Sequence, residues 1–358
     1  MKKILMMCGT FYPSNNPRAV QATELYKELR NRGYEIDLCL TTERRLLSPE
    51  EVQNLLKEPP VSEKNFIQTY SFLGGLFSKA VCYFIGQKGF YIYYPWLKKT
   101  VDLNKYDVLI AISAPFYDIV LAARIKKHCS RKITMICDNG DPFYDPAKHS
   151  LLVKNVQIKA YKMFDYICFP VESARVYYEK YADPKKLVVI PQGRNFDEIE
   201  VQESVSNTIP TFAYAGCFFM DIRNPESFLK MLSDIKRDFK FVLFTEKTGD
   251  VYEQILKKYK KILGPRLEIN GFLPRKECIY KLSGMDFLIN FQNMSEVQSP
   301  SKLIDYTLSK RPIFSVRQDN VRQEQFEEFL DGKYDHATQI DISAFDIKKV
   351  AQQYIDLF

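Results

Sequence analysis

One tryptophan, three histidines and no C-x-x-C pair in 358 residues leave several chemistries without their usual carriers. The eight cysteines, at positions 8, 39, 82, 129, 137, 168, 217 and 278, are scattered. Such spacing suits neither a zinc site nor a disulfide framework. Several of them, Cys8 and Cys168 among them, sit inside apolar strand-like runs, where a free thiol packs as a small hydrophobe in a reducing compartment. His128 and His149 have no partner motif. There is no D-x-D flanked by strand residues and no cluster with metal-ligand spacing, so the expected chemistry needs no divalent ion. G-x-G-x-x-G is absent too, and nothing points specifically to a dinucleotide. No apolar run approaches the ~18 residues of a membrane span. The amino-terminal Met1-Lys-Lys-Ile-Leu-Met-Met-Cys-Gly9 has basic residues before an apolar run. That run is about six residues long, too short for a secretory core segment, and reads as a buried first strand. The expectation is a cytoplasmic protein, peripheral to a membrane at most.

What is present is a normal globular composition, 46 % apolar and 27 % charged, long enough for two domains. Aromatic residues are abundant, with 26 Phe and 23 Tyr. Charge is uneven: residues 1–195 carry a net +10 and the remainder −3. A basic first half suggests an acidic partner for that half. Within it, the stretch from Tyr70 to Leu97 mixes aromatic and apolar residues with Lys79 and Lys88, and Lys98 and Lys99 follow directly. Aromatic bodies with basic flanks suit the boundary between lipid headgroups and acyl chains. The alternative is one or two helices packed on a sheet.

Strands and helices alternate along the chain, the mark of a doubly wound α/β architecture. Ile4 to Cys8 is a strand, the Gly9–Asn16 loop (GTFYPSNN) is rich in turn formers, and Ala19 to Asn31 has helical apolar spacing. Residues 43–65 read as polar and partly helical. Asp107 to Ile112 and Lys132 to Cys137 are strands; the second runs into Asp138-Asn-Gly-Asp-Pro-Phe-Tyr-Asp-Pro146. Helices are expected over 116–127, 150–164 and 173–180, and a strand over 187–190. The acidic, serine-rich 196–208 reads as a linker. The alternation then repeats from Thr211, with a helix over 250–262. The pattern predicts an N-terminal domain (1–195), a second domain (209–340) and a C-terminal helix (341–358) that packs back on the first. Both sheets are expected to point their carboxyl edges into a shared cleft.

The most informative stretch is Asn290 to Val316, NFQNMSEVQSPSKLIDYTLSKRPIFSV. It reads as strand, polar loop, capped helix and strand. Ser299 or Ser301 can cap the helix, whose first turn holds Lys302. Such a helix start at a parallel sheet edge suits an anion.

YAGCFFMDIRNPESFLKML, KFVLFT, LEINGFLPRKECIYKLSGMDFLINFQ and SPSKLIDYTLSKRPI follow one another in the order and spacing of GT-B glycosyltransferases, and VVIPQGRNFD resembles the family's strand-to-linker signature. The chain most resembles the large retaining family that uses nucleotide-sugar donors (glycosyl transferases group 1), over nearly its whole length. The resemblance implies two Rossmann-like domains facing across a cleft. It places the donor diphosphate at Gly216, Arg223 and Lys302, with Thr245, Ser299, Pro300 and Ser301 beside them. It puts the base at the backbone of Phe272 and Leu273, and the ribose at Asp305, a shortened version of the family's second glutamate. The first glutamate, eight residues earlier, is replaced by Val297, with Glu296 one residue out of phase as the nearest acid to the donor sugar. In the first domain Gly9, Ser14 and Asn15 face the acceptor. Asp138 and Asp141 are candidates for acceptor binding or proton removal, although aspartates in turns commonly serve the turn itself.

The implied activity is metal-independent and retaining sugar transfer from a UDP- or GDP-linked donor to a glycan or lipid-linked acceptor in bacterial surface polysaccharide synthesis. No cofactor and no nucleic acid are implied, and an anionic membrane surface is a further partner of the first domain. Two alternatives stand. One is a sugar-nucleotide 2-epimerase of the same fold, whose set of acids and histidine has no evident match here. The other is a non-catalytic sugar-nucleotide-binding protein, with Val297 marking a lost acid.

Overall fold

A computed structural model of the chain describes residues 2–14, 16–59, 82–113, 115–203, 207–292 and 301–358, with backbone alone at Ser301. The chain divides into two compact units. Met1–Arg194 together with Ala344–Phe358 form the first, and Asn195–Ser343 the second.

The first unit is built on β1 (Lys3–Cys8), β2 (Glu35–Leu40), β3 (Arg45–Leu47), β4 (Val108–Ile112), β5 (Thr134–Asp138), β6 (Tyr166–Phe169) and β7 (Leu187–Val189). They lie in the order β3-β2-β1-β4-β5-β6-β7, all parallel except β3, which runs against β2. All five residues of β4 are buried, as a central parallel strand covered on both faces requires. The helices are α1 (Pro17–Asn31), α2 (Pro49–Leu55), α3 (Gly89–Ile92), α4 (Tyr94–Thr100), α5 (Tyr117–Lys126), α6 (Leu151–Tyr161) and α7 (Arg175–Tyr178). Local chemistry sets their ends. Asn16 caps α1 by accepting from the Ala19 amide at 2.8 Å, with Pro17 at the first helical position. Ser48 and Glu51 form a reciprocal capping box on α2.

The second unit has five parallel strands: β8 (Thr211–Ala215), β9 (Lys240–Phe244), β10 (Leu267–Asn270), β11 (Phe287–Phe291) and β12 (Ile313–Val316). Their order is β10-β9-β8-β11-β12. The reversal of direction at β8 creates the switch point at which open α/β sheets bind ligands. The helices are α8 (Glu226–Asp234), α9 (Lys257–Leu263), α10 (Arg275–Ser283), α11 (Ser301–Leu308) and α12 (Gln323–Leu330). The abundance of phenylalanine is largely a core property here. The Phe212 ring stacks on Phe241 at 4.9 Å and on Phe287 at 4.8 Å, and Phe326 meets it edge-on. Each such ring contributes about 1.5–3 kcal/mol by burial alone.

The last helix, α13 (Ile347–Ile355), belongs to the first unit and packs on α1. Arg32, just after α1, donates to the Lys348 carbonyl at 2.5 Å and to Gln352 at 2.6 Å. Gln202 and Asn207, in the segment read as linker, are held by the second unit. The Gln202 amide donates to Ser283 Oγ at 2.8 Å and the Asn207 amide to Asp286 at 3.3 Å.

The structure departs from the sequence reading in three places. The region from residue 43 contains the short strand β3 before a helix of only seven residues. The helix expected over 173–180 shrinks to a 3-10 turn (Glu172–Ala174) followed by α7. The helix expected over 250–262 contains a wide π turn at Tyr252–Leu256. Residues 60–81, part of the aromatic and basic stretch, lie outside the described residues.

Candidate functional site

The carboxyl edge of β8 carries the densest set of candidate residues. Gly216 follows β8 directly, with φ at +140°, a region that disfavours any side chain. A Cβ at this position would overlap the Lys302 ammonium. Lys302 stands in the first turn of α11, and its Nζ donates to the Tyr214 hydroxyl at 2.6 Å while lying 4.6 Å from the centre of that ring. The Tyr214 hydroxyl passes the bond on to the Cys217 carbonyl at 2.7 Å. Arg223 closes the other side, donating to the same carbonyl at 3.1 Å.

The helix is locked in place one turn further on. Tyr306, four residues after Lys302 and therefore on the same side of α11, accepts from the Ala215 amide at 2.8 Å. Lys302 is thus fixed between a tyrosine ring, a glycine and the start of a helix. Burial and the nearby Arg223 charge bring its pKa down to about 7. No carboxylate of the described residues pairs with Lys302. A cluster of two coupled cations without a matching acid on the lysine is an electrostatic cost that a bound anion removes.

Asp305 lies one residue before Tyr306. Arg275, at the start of α10, donates to its Oδ1 from Nε at 2.9 Å and from Nη2 at 2.7 Å, which leaves Oδ2 outside that pair. The turn Gly271-Phe272-Leu273 leads into α10. It lines a groove of about 610 Å³ with Asn270, Val242, Phe244 and Glu277, and the Phe272 side chain is exposed. Thr245 is buried at the end of β9, its amide donating to the Asn270 carbonyl at 3.0 Å. Gly216, Arg223 and Lys302 are therefore brought together. Asp305 is engaged with Arg275, and Thr245 sits in the body of the sheet edge. Glu296, Val297, Ser299 and Pro300 lie outside the described residues, as does the side chain of Ser301.

In the first unit the carboxyl edge is organised differently. Gly9 packs against Pro115 and Asp118. Ser14 Oγ accepts from the Asn16 side chain at 3.0 Å, and Asn15 lies outside the described residues. Asp138 ends β5 and pairs with Arg18 at 3.2 Å. Arg18 also donates to the Ser113 carbonyl at 2.9 Å and to Gln21 at 2.8 Å. Asp141 is exposed and apart from that pair.

Sequence reasoning missed four residues of these two edges. Tyr214 reads as an ordinary apolar position of a strand. Arg275 follows the Gly271-Phe272-Leu273 turn but carries no motif of its own. Arg18 falls just before the helical apolar spacing that begins at Ala19 and carries no motif. Asp118, fully buried in the first turn of α5, accepts from Thr41 at 2.5 Å, and burial pushes its carboxyl well above the usual range. No periodicity distinguishes an aspartate that will be buried.

Two doubly wound α/β units make up the GT-B glycosyltransferase fold. Solved structures agree over nearly the full chain. The lipopolysaccharide outer core galactosyltransferase WaaB, in its apo form, is 12% identical with a TM-score of 0.59, covering 99% of this chain and 98% of that one. HepE from Anabaena, in complex with UDP and glucose, is 14% identical with a TM-score of 0.60, covering 99% of both chains. The UDP-GlcNAc 2-epimerase of Methanocaldococcus jannaschii is 11% identical with a TM-score of 0.54, covering 100% of this chain and 99% of that one. No family model and no curated protein sequence matches the chain.

Proposed function

We propose that the chain is a glycosyltransferase that moves a sugar from a nucleotide-sugar donor to a glycan or lipid-linked acceptor in surface polysaccharide assembly. The observation that carries this reading is the lysine–arginine cluster around Gly216 at the start of α11. In the transfer the anomeric carbon–oxygen bond breaks with its electron pair going to the diphosphate, and an acceptor oxygen forms the new bond and loses its proton. Charge therefore grows on the diphosphate, where fixed cations and helix amides stabilise the transition state more than the ground state. Lys302 and Arg223 hold the diphosphate, and Gly216 lets it approach the backbone. Phe272 and Leu273 read the base along the groove, and Asp305, oriented by Arg275, accepts the ribose hydroxyls through Oδ2. UDP is the favoured nucleotide, since HepE is in complex with UDP and glucose and the epimerase acts on UDP-GlcNAc. Gly9, Ser14, Asn15 and Asp141 receive the acceptor, with Asp138 positioned by Arg18. Transfer proceeds with retention and without a divalent ion, and Glu296 is the candidate acid for the donor sugar.

The test combines binding with turnover. UDP should raise the melting temperature of the wild-type protein more than GDP does. UDP release from UDP-sugars, measured with EDTA present, should fall by roughly 10²–10³-fold in Arg223→Ala and Lys302→Ala. Interconversion of UDP-GlcNAc without any acceptor would move the protein to the epimerases. Tight UDP binding with no turnover over a panel of acceptors would make it a binding protein.

A further inference from the structure

Apolar side chains exposed one at a time need no account, but a contiguous group of them does. In the first unit such a group is assembled from three pieces of chain. Residues 82–85 are helical and carry Phe84, 58% exposed. The short α3 turns Tyr91 and Ile92 outward, and α6 opens with Leu151 and Leu152, 69% and 63% exposed. The three pieces touch. The Ser150 amide, just before α6, donates to the Tyr83 carbonyl at 2.8 Å, and the Tyr83 ring meets Phe84 edge-on at 4.9 Å. Gly86 packs against both Phe90 of α3 and Val153 of α6. Phe90, Leu97 and Val153 fill the core beneath, so the outward residues are not a displaced part of it.

The surround of this group is basic. Residues 82–100 contain Lys88, Lys98 and Lys99, all exposed, and no acid. The Arg124 guanidinium lies 5.1 Å from the Tyr91 ring centre. Lys154 flanks the start of α6, and Lys148 does so while paired with Asp145 at 3.1 Å.

We propose that this face docks on an anionic lipid bilayer, with Phe84, Leu151 and Leu152 entering the boundary below the headgroups and the lysines remaining among the phosphates. Bulky apolar residues ringed by tyrosines and long basic side chains match the layered polarity of that boundary. A second copy of the chain is disfavoured on charge, because two lysine-rimmed faces repel. The start of α6 follows the carboxyl end of β5, so the docking face borders the edge that carries Asp138 and Asp141. Resting on the transferase reading, this arrangement presents a lipid-linked acceptor to that edge directly from the membrane.

Flotation of the full chain with vesicles tests the docking without reference to activity. The wild-type protein should float with phosphatidylglycerol-containing vesicles at low salt, weakly with phosphatidylcholine alone, and less as salt rises. Leu151→Ser/Leu152→Ser and Phe84→Ser should each cut vesicle binding at least tenfold, and Lys98→Gln/Lys99→Gln should abolish the preference for anionic lipid. All three should keep the wild-type melting temperature and the wild-type response to UDP. Wild-type vesicle binding by the leucine variant, or no flotation of the parent protein, would overturn the proposal. A large loss of melting temperature in Leu151→Ser/Leu152→Ser would show that the chain's own residues cover the face. A concentration-dependent dimer abolished by the same variant would assign the face to a second copy. Loss of flotation with UDP release intact on a water-soluble acceptor separates docking from catalysis. Flotation without any UDP-sugar turnover would leave the docking standing and remove the transferase reading.

Discussion

The two units share one architecture and treat the positive charge at their carboxyl edges in opposite ways. In the first, Arg18 is matched by Asp138 and by backbone carbonyls, so its charge is spent on holding β4, β5 and α1 together. In the second, Lys302 has a tyrosine hydroxyl and ring for company and lies near a second cation. A charge satisfied by the fold stabilises the fold, whereas a charge left to a ligand stabilises the complex. A basic residue at the same kind of edge is thus held in two ways, and the partner distinguishes them.

Substitutions break that comparison most sharply at the second edge. Arg223→Ala and Lys302→Ala should each lower kcat/KM for the donor by roughly 10²–10³ while leaving the fold intact. Lys302→Met should go further and raise the melting temperature of the ligand-free protein by about 2–4 °C, because it removes a cation that burial disfavours. At the first edge the outcome reverses. Arg18→Ala should cost about 3 kcal/mol in urea unfolding, since it strands Asp138, yet the second unit should still bind UDP.

The pH dependence sharpens the contrast. The free-state pKa of Lys302 is about 7, and a bound diphosphate favours the charged form, raising that value in the complex. Donor affinity should therefore be flat below about pH 7 and fall by up to tenfold per unit above it. Calorimetry with a UDP-sugar, whose diphosphate does not titrate in this range, should show proton uptake on binding near pH 7.5. Lys302→Arg should remove the uptake. The smallest expected effect is at the edge of the site. Arg275→Ala should raise the donor KM by roughly fivefold, with kcat little changed, because it frees Asp305 to wander without removing it.

The alternation of strands and helices was legible because parallel strands buried on both faces, such as Val108–Ile112, read as unbroken apolar runs. Arg45–Leu47 was not: three residues on an edge, one of them charged, show no period of two. Lys302 and Gly216 were legible from the helix start and the strand end they occupy. Their contact was not, because it depends on Tyr214, whose hydroxyl matters only once α11 is folded against β8. Asp305 was legible as an acid on α11, and its arginine partner was not, because the two are separated by β11 and a polar loop. Where a residue's place follows from local chemistry, sequence reveals it; where it follows from which side chain arrives from elsewhere, sequence does not.

The two stretches of the first unit that flank the second are bonded to each other. The Arg194 amide donates to the Phe345 carbonyl at 2.7 Å, and the Ile347 amide donates back to the Arg194 carbonyl at 2.9 Å. The second unit is thereby a single insertion between two hydrogen-bonded stretches of the first, a cassette in the polypeptide. Every strand of the seven-stranded sheet and its closing helix therefore come from outside residues 195–343.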